Sequence, residues 1–447
     1  MSSQPSSTAS TEITINASSL LSGLAFGIGA GVAAGGVYYF LNKGNGNNEG
    51  NSVKKTRSSI RDTQFPSPKR PAKSKRPATQ SFRSQNVPSE LTGDRWDNWD
   101  KRNSVTVRVP ATSANLGSGF DSVGIALDMW SEITVERADK FSMTCEGAGA
   151  EQLQALQEKN LVCVGVKTAF EYVGEEMPPL KYHCINRIPF GKGLGSSSAA
   201  IVGGLIAGLA LCGKELKVFG KDSLYSGGGE PEPEELLQLA CKIEGHPDNV
   251  APALYGGIQL GIKMRNGKWR SSRVNCPPDL QMVAYIPNLQ GITSELRQVL
   301  KNKVTRNDAI FNIGRVAFLV NALSQNKLYD LRYGTEDVLH QPPRSSVYPY
   351  LYPLMNAALG AGAHAVYLSG AGPTVLAITS GAAGDTFTQH GSERMERAIA
   401  DAMILAGQKH CSKPGNVYIT RPVMKGAYIV RADPPFSQGV VRYPGSV

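Results

Sequence analysis

The chain has 447 residues and a formal net charge of +10, with 41% hydrophobic and 19% charged residues. This composition is typical of a globular protein with room for two or three cores, and it excludes a mostly disordered chain or a small disulfide-stapled scaffold. Its seven cysteines are scattered and never spaced C-x-x-C, so neither a disulfide framework nor a zinc site is indicated.

Residues 20–41 form an uncharged run of 22 residues. A helix of that length is about 33 Å long, enough to cross a bilayer core, and the basic residues after it would leave the main body on the cytosolic or stromal face. A Ser/Thr-rich N-terminus with few acidic residues is also typical of a cleaved organelle-targeting peptide. A retained membrane span and a removed targeting segment therefore both remain open.

Most of the positive charge lies in residues 43–102, which hold 14 Lys and Arg against 6 Asp and Glu. The segment is rich in Pro and Ser and poor in apolar residues, which predicts a disordered basic linker. Its KSKRP run could contact anionic lipid or nucleic acid, but a solvated linker is the simpler interpretation. No nucleic-acid partner is expected.

An ordered region begins near Ser104. VTVRVPAT, SEITVERAD and KFSMTCEG alternate apolar and polar residues as strands do, and a helix is predicted from about 153 to 173 before the strand KYHCINRI. The later segments AAIVGGLIAGLALCG, AIFNIGRVAFLVNAL and SERMERAIADAMILAGQ predict helices, with strands at QMVAYIPN and on both sides of SGAGPT. The sequence therefore predicts an α+β protein.

The segment PFGKGLGSSSAA, residues 189–200, is the strongest candidate phosphate site. Its three glycines allow positive φ and close backbone approach, and its serines open an apolar helix, so that free N–H groups converge on one spot. The spacing matches neither the Walker A pattern nor G-x-G-x-x-G. A tight, serine-capped turn is the alternative interpretation.

Three further stretches place polar groups beside turns. Residues 109–128 carry Asn115 and Asp121, two groups able to hold a small zwitterion or a hydroxyl. Residues 244–249, EGHPDN, lack a second His or Cys for zinc, but one carboxylate is enough for Mg²⁺. Residues 369–374, SGAGPT, could form a second clamp with backbone groups, and a flexible turn is the alternative. For the Asn115 and Asp121 stretch, an ordinary Asx-capped turn is the alternative.

In this order, PATSANLGSGFDSVGIALD, PFGKGLGSSSAA, EGHPDNVAPALYGG and SGAGPTV resemble the signature motifs of the GHMP small-molecule kinases, and the wording GHPDNVAPAL resembles the homoserine kinases among them. The resemblance implies the GHMP kinase fold. Its N-terminal half is ribosomal S5 domain 2-like, with a left-handed βαβ crossover, and its C-terminal half is ferredoxin-like. The implied units are an N-terminal segment 1–42, the linker 43–102, an ATP-binding domain 103–265, a C-terminal domain 266–432 and a tail 433–447.

The resemblance also implies an activity, the ATP- and Mg²⁺-dependent phosphorylation of the L-homoserine hydroxyl to O-phospho-L-homoserine in threonine biosynthesis. The implied ATP-binding residues are Asn160, Gly191, Gly193, Leu194, Gly195, Ser196, Ser197 and Ser198, with Mg²⁺ on Ser197 and Glu244. The implied substrate ligands are Asn115, Asp121, His246, Asn249, Arg297 and Arg344. Asp121, Thr293 and Arg297 would lie nearest the reacting groups, and Gly370 and Gly372 would support the phosphate loop.

Several alternatives accompany this interpretation. Asp121 and His246 are the nearest candidates for a general base, but the resemblance places both on the substrate and implies no dedicated base. Another GHMP kinase with a different alcohol would give no reason for the pair Arg297 and Arg344. A silent, membrane-tethered sensor would predict a damaged phosphate loop or a missing Glu244, and the sequence shows neither. A homodimer, and a membrane-tethered or organellar location with the plastid as candidate organelle, are further expectations.

Overall fold

The computed structural model describes residues 101–213, 235–291, 293–380 and 395–435. The predicted span at 20–41 and almost all of the predicted linker lie outside these residues, as does the tail from residue 436. In the described ranges, no helix has the length and apolarity needed to cross a membrane. All described residues belong to one compact unit, Thr92–Val447.

The described strands form two sheets, and the first of these has seven strands. Its main order is β11-β1-β2-β4-β3, and β5 pairs with β2 and with β6. The strands are β1 (Ser104–Ala114), β2 (Val123–Arg137), β3 (Ser142–Gly147), β4 (Leu180–Asn186), β5 (Ile258–Lys263), β6 (Trp269–Val274) and β11 (Tyr428–Asp433). Apolar residues alternate with polar ones along β1, so that Val105, Val107 and Val109 enter the core while Thr106 and Arg108 face outward.

Helices pack against this sheet and deliver the Gly-rich segment to its place. They are α1 (Ala150–Ala155), a 3₁₀ turn (Gln157–Lys159), α2 (Leu161–Val173), α3 (Ser196–Leu211), α4 (Glu235–Glu244) and α5 (Pro247–Tyr255). Strands β3 and β4 are parallel and are joined through α1 and α2, as a crossover requires. The left-handed sense of that crossover stays a prediction.

Helix α3 is apolar on all sides because it lies in the middle of this layer, where almost every one of its residues is buried. Glycines let α2 approach it closely. A Cβ added to Gly204 would lie 2.3 Å from the Val162 carbonyl oxygen, and one added to Gly165 would lie 2.7 Å from that of Ile201. The close packing fixes the position of the α3 N-terminus.

The second sheet has four antiparallel strands in the order β10-β7-β9-β8. These are β7 (Gln281–Ile286), β8 (Ala365–Leu368), β9 (Val375–Thr379) and β10 (Asn416–Thr420). The helices of this half are α6 (Thr293–Gln298), α7 (Arg306–Ser324), α8 (Leu331–Gly334), α9 (Gln341–Ser345), α10 (Leu351–Gly360) and α11 (Met395–His410). A separate hydrophobic core, which includes Tyr285, Leu354 and Met403, lies between this sheet and its helices.

The predicted mixture of helices and strands is confirmed. The predicted domain boundary between 265 and 266 falls in the turn of the β5–β6 hairpin, whose two strands pair with each other in the first sheet. The chain later returns to that sheet through β11, which pairs with β1 beside the start of the ordered region. The two halves are therefore joined in more than one place.

We expect Gly204→Ala to destabilise the protein by about 1–3 kcal/mol, because the new methyl group meets a backbone carbonyl that cannot move aside alone. Gly314→Ala in α7 is the matched control, since nothing lies within 4 Å of a Cβ there. That change should stabilise the helix by up to about 1 kcal/mol. Thermal unfolding followed by circular dichroism measures both, and equal midpoints would contradict the close packing of α2 on α3.

Candidate active site

The Gly-rich segment forms a tight loop that ends at the N-terminus of α3. Gly193 and Gly195 have φ values of +76° and +70°. A Cβ on Gly195 would lie 1.9 Å from Thr112 Oγ1, and a Cβ on Gly193 would lie 2.4 Å from the Ser369 carbonyl oxygen, so only glycine fits at either position. In the part of the chain that the structure describes, no side chain caps α3 through a hydrogen bond. The first N–H groups of this 16-residue helix are therefore left for an anion such as a phosphate.

The buried side chain of Leu194 anchors the loop on the first sheet, where its carbonyl oxygen accepts a hydrogen bond from the Thr112 amide at 3.2 Å. Lys192 anchors it on the other side. Its Nζ donates to the carbonyl oxygens of Pro287 at 2.8 Å and Leu289 at 2.5 Å. Burial, with a smaller contribution from Lys413, lowers the pKa of this ammonium group. Lys192 thus ties the loop to the segment after β7.

The predicted support from the SGAGPT turn is present, but different atoms provide it. Ser369 Oγ donates to the Gly193 carbonyl oxygen at 2.7 Å, and the Thr374 amide donates to the Lys192 carbonyl oxygen at 3.3 Å. Gly370 instead donates its amide to the Ala114 carbonyl oxygen at 3.1 Å. Gly370 and Gly372 nevertheless lie against the loop, since a Cβ on Gly370 would be 3.5 Å from the Gly193 carbonyl oxygen and one on Gly193 would be 2.8 Å from that of Gly372. Their predicted role in supporting the phosphate loop stays a prediction.

Glu244, the last residue of α4, meets the first turn of α3. Its Oε1 accepts hydrogen bonds from Ser197 Oγ at 2.9 Å and from the fully buried Ser198 Oγ at 3.0 Å. Neighbouring ligands in an octahedral Mg²⁺ site are about 2.9 Å apart, since each metal–oxygen bond is about 2.0–2.1 Å long. The oxygens of Ser197 and Glu244 therefore fit the predicted Mg²⁺ site, and Ser198 holds the carboxylate in place.

The loop between β1 and β2 is shaped by Asn115. This residue is 2% exposed; its Oδ1 accepts from the Asp121 amide at 3.0 Å, and its Nδ2 donates to the Gly370 carbonyl oxygen at 2.9 Å. Asn115 and Asp121 both adopt positive φ. Asn115 therefore places Asp121, and its predicted contact with the substrate stays a prediction.

Asp121 and Arg297 form a bidentate ion pair. Arg297 Nη1 donates to Asp121 Oδ2 at 3.0 Å, and Nη2 donates to Oδ1 at 2.8 Å. Burial alone would lower the pKa of Arg297, but the hydrogen bonds and charge of Asp121 raise it above the ordinary value. Thr293, predicted beside the reacting groups, begins the same helix α6, but its side chain lies outside the described residues.

His246 lies beside this pair at the N-terminus of α5. Its Nδ1 is 2.5 Å from Asp248 Oδ1. Burial lowers the pKa of His246, but the charge and hydrogen bond of Asp248, followed by the charge of Glu244, raise it to about 9. Ligand atoms of Asp121, His246 and Asp248 lie within 4.8 Å of one another. Both oxygens of Asp121 face the Arg297 guanidinium, so this group is better suited to an organic zwitterion than to a metal ion.

Arg344, on α9, is 2% exposed. Its Nη1 donates to the Gly370 carbonyl oxygen at 3.0 Å and to His340 Nδ1 at 3.1 Å. Burial, and then the charge of Arg297, lower the pKa of Arg344 to about 10, so the group remains a cation at neutral pH. Both arginines approach the ring of Phe120, with Cζ at 5.8 Å for Arg297 and 5.7 Å for Arg344. The structure thus brings together Arg297 and Arg344, two of the implied substrate ligands.

Comparisons with known proteins agree with this geometry. The family model for the GHMP kinases N terminal domain matches residues 160–257, and the model for the GHMP kinases C terminal region matches residues 320–399. A homoserine kinase of Caldanaerobacter subterraneus subsp. tengcongensis is 42% identical over 277 residues, 62% of this chain and 83% of that relative. A homoserine kinase of Carboxydothermus hydrogenoformans is 39% identical over 325 residues, 72% of this chain and 96% of that relative.

A solved structure gives the same result. The crystal structure of a homoserine kinase from Cytophaga hutchinsonii superposes with a TM-score of 0.60 at 26% identity, and covers 74% of this chain and 98% of the other. The chain belongs to the homoserine kinase family of the GHMP kinases. The expected GHMP kinase fold, with its N- and C-terminal halves, is confirmed.

Asn249 and Asn160, both implied as ligand-binding residues by the resemblance, differ in how many of their side-chain groups are hydrogen-bonded to the protein. Asn249 is half-buried; its Oδ1 accepts from Thr112 Oγ1 at 2.8 Å, which leaves its amide N–H groups for a substrate. Asn160 caps α2, accepting from the Val162 amide and donating to the Leu153 carbonyl oxygen, each at 3.0 Å. Its buried side chain therefore serves the cap, and the predicted contact of Asn160 with ATP stays a prediction.

Four contributors to the site were missed from sequence: Thr112, Lys192, His340 and Ser369. Thr112, Lys192 and Ser369 lie inside or beside the quoted motifs, but glycine spacing gives no sign of which neighbouring side chain fills the space beside a glycine. His340 lies four residues before Arg344 in HQPPR, a spacing that places both on one helix face. That spacing was the available signal.

Glu244→Gln should raise the Mg²⁺ concentration that gives half of the maximal rate by about tenfold or more, because the neutral amide is a weaker ligand for a hard cation. Mg²⁺ titrations of phosphoryl transfer at saturating ATP measure this. Glu336→Gln is the control, since Glu336 pairs with Arg315 away from the phosphate loop. An unchanged Mg²⁺ dependence in Glu244→Gln would contradict the assignment of this carboxylate.

Proposed function

We propose that the chain transfers the γ-phosphoryl group of ATP to the hydroxyl group of L-homoserine, forming O-phospho-L-homoserine for threonine biosynthesis. The observation that carries the proposal is the Asp121–Arg297 ion pair beside Glu244 and the phosphate loop. Homoserine is a zwitterion, so its ammonium group can pair with Asp121 while its carboxylate pairs with Arg297. The internal pair is thereby exchanged for two equivalent pairs with the substrate.

ATP binding is supported by the geometry of the phosphate loop. The uncapped N–H groups at the start of α3 and the positive end of its helix dipole favour the triphosphate. Ser197 and Glu244 are the residues that would hold Mg²⁺, and the ion, when bound, neutralises phosphate charge during transfer. Ser198 and Ser197 keep the Glu244 carboxylate turned towards the loop.

The chain's own residues contribute mainly alignment. Phosphoryl transfer passes through a loose transition state, so positioning and electrostatic stabilisation carry most of the catalysis. Both oxygens of Asp121 accept from Arg297, and His246 is hydrogen-bonded to Asp248. Neither residue therefore has the features of a dedicated base, which supports direct attack by a homoserine hydroxyl that is held in line with the γ-phosphate.

The alternatives fit the geometry less well. A neutral alcohol such as galactose has no charged group to pair with Asp121 or Arg297. Mevalonate has a carboxylate for Arg297 but no ammonium group for Asp121. A silent sensor is disfavoured because the phosphate loop and its Glu244 contacts are intact. The two homoserine kinases compared above also match 62% and 72% of this chain.

A coupled ADP-release assay on the full chain tests the substrate. With Mg-ATP, we expect turnover of L-homoserine and none above background with galactose, mevalonate or L-threonine. Arg297→Ala should raise the KM for homoserine roughly 10- to 100-fold, since a charge-assisted hydrogen bond is worth about 1.5–3 kcal/mol, while the KM for ATP stays unchanged.

Arg421→Ala is the control for loss of a positive charge, because Arg421 is an exposed partner of Asp128 on the first sheet. It should leave both KM values unchanged. Turnover of another alcohol in preference to homoserine would overturn the proposed substrate. ATP binding without turnover of any alcohol would favour the silent sensor.

We also propose that residues 1–102 determine where the enzyme is located, by a membrane span at 20–41 or by targeting to an organelle, with the plastid as the candidate. The support is the uncharged apolar run followed by a basic segment. The predicted homodimer stays a prediction. None of the residues assigned to the active site lies in this region, so its role concerns location and not chemistry.

Fractionation of cells that express the full chain tests the location. A retained span keeps the full-length protein in carbonate-washed membranes, and a double variant Gly29→Arg and Ala34→Arg should release it, because each arginine in the bilayer centre costs about 2.5–3.5 kcal/mol. A shortened, soluble product in an organelle indicates a cleaved targeting peptide. Full-length soluble protein from both the unchanged chain and the double variant would contradict the retained span and the cleaved targeting peptide alike.

A further inference from the structure

A buried histidine connects the two sides of the candidate carboxylate site. His340 has no exposed surface. Its Nδ1 lies 3.1 Å from Arg344 Nη1, and its Nε2 lies 2.7 Å from the Gly117 carbonyl oxygen. Gly117 belongs to the loop that carries Asp121, whereas Arg344 belongs to α9. One imidazole ring therefore links the loop of the Asp121 carboxylate to the helix of the Arg344 guanidinium.

The hydrogen-bond partners determine the protonation of this ring. A guanidinium group can only donate, so His340 Nδ1 accepts and carries no proton. A carbonyl oxygen can only accept, so Nε2 carries the proton and donates to Gly117. Asp337 Oδ2 is farther from Nε2, at 3.7 Å. Burial, opposed by the charge of Asp337 and reinforced by that of Arg344, lowers the pKa of His340 and agrees with a neutral ring.

Local sequence explains why the ring stands there. Asp337 Oδ2 accepts from the backbone amides of His340 and Gln341 at 2.9 Å and 2.7 Å, which fixes the start of α9. His340 and Arg344 are four residues apart and so share one face of that turn. One face of the imidazole ring stacks on Phe120, with ring centroids 5.2 Å apart and planes inclined by 22°. The ring has no freedom to rotate away from Arg344.

Arg344 depends on this support. Its Nη1 is held by His340 and by the Gly370 carbonyl oxygen, and its Nε lies 3.5 Å from the Leu296 carbonyl oxygen. Among the described residues, Nη2 makes no hydrogen bond, so it is the nitrogen that a carboxylate would meet. An arginine in such a narrow site contributes to recognition only when its planar group has the correct orientation.

We propose that His340 is a positioning residue for substrate recognition: as the neutral Nε2–H tautomer, it locks Arg344 against the Asp121 loop so that Nη2 faces the substrate carboxylate. The inference rests on the proposed homoserine phosphorylation and adds to it a residue that touches neither substrate nor ATP. It predicts that loss of the imidazole weakens binding of the substrate carboxylate and leaves binding of the rest of the substrate unchanged.

Two substitutions distinguish the contact made by Nδ1 from the contact made by Nε2. In His340→Asn, the side-chain oxygen takes the place of Nδ1 and can still accept from Arg344. In His340→Gln, the amide reaches the place of Nε2 and keeps the Gly117 contact but not that with Arg344. We expect His340→Gln to raise the KM for homoserine about tenfold with kcat and the KM for ATP nearly unchanged, and His340→Asn to restore most of the loss. His364→Gln, a half-buried histidine bonded to Ser380, is the control.

Two further measurements distinguish positioning from simple destabilisation. The inhibition constant of 3-aminopropan-1-ol, which is homoserine without its carboxylate, should not change in His340→Gln. In an Arg344→Ala background, His340→Gln should change the KM for homoserine by less than about twofold, because the residue through which it acts is gone. Equal KM changes in the Gln and Asn variants, or equal weakening of homoserine and 3-aminopropan-1-ol, would overturn the inference.

The wild-type protein provides a test that needs neither a variant nor turnover. Nitrogen NMR of selectively labelled histidine should show His340 as the neutral Nε2–H tautomer at neutral pH. A charged ring or the Nδ1–H tautomer would overturn the inference even if homoserine is the substrate. Conversely, the expected tautomer in an enzyme that does not phosphorylate homoserine would overturn the proposed function and leave the Arg344 contact intact.

Discussion

The close approach of backbone at the phosphate loop is the constraint on which the rest of this structure depends. Gly195 lies against Thr112 on the first sheet, and Gly193 lies against the carbonyl oxygen of Ser369, which directly follows β8 of the second sheet. Neither position has room for a Cβ atom. The loop is thus held between the two halves of the protein, and the N–H groups at the start of α3 point from there into the site.

The same contact places the substrate side of the site. The turn that touches Gly193 continues to Gly370, whose carbonyl oxygen accepts from both Asn115 and Arg344. One carbonyl oxygen thereby links the Asp121 loop and α9 to the turn that supports the phosphate loop. The positions of the acidic group, the basic group and the phosphate site are therefore set together, as in-line transfer requires.

Two ion pairs lie in the site before any substrate arrives. Asp121 and Arg297 neutralise each other, and His246 is paired with Asp248. A partly buried charge without a partner would be costly, so these four side chains are paired, whereas the Arg344 cation is hydrogen-bonded to the neutral His340 ring and to the Gly370 carbonyl oxygen. A zwitterionic substrate can replace these internal partners without leaving a charge unpaired, whereas a neutral substrate cannot. Selectivity for an amino acid is in this way built into the arrangement of charges.

The sequence by itself determined the order of motifs, the α+β class and the residues that carry charge near the site, because glycine spacing and apolar periodicity are local properties of the chain. Only the tertiary structure decided which polar groups remain free for a ligand. Asn115 and Asn160 each hydrogen-bond two groups of the protein, Asn249 keeps its amide N–H groups, and His340 joins Arg344 to Gly117 across 223 positions of sequence. The physical reason is that a hydrogen-bonding group serves either the fold or a ligand, and its partners come from distant parts of the chain that no local pattern specifies.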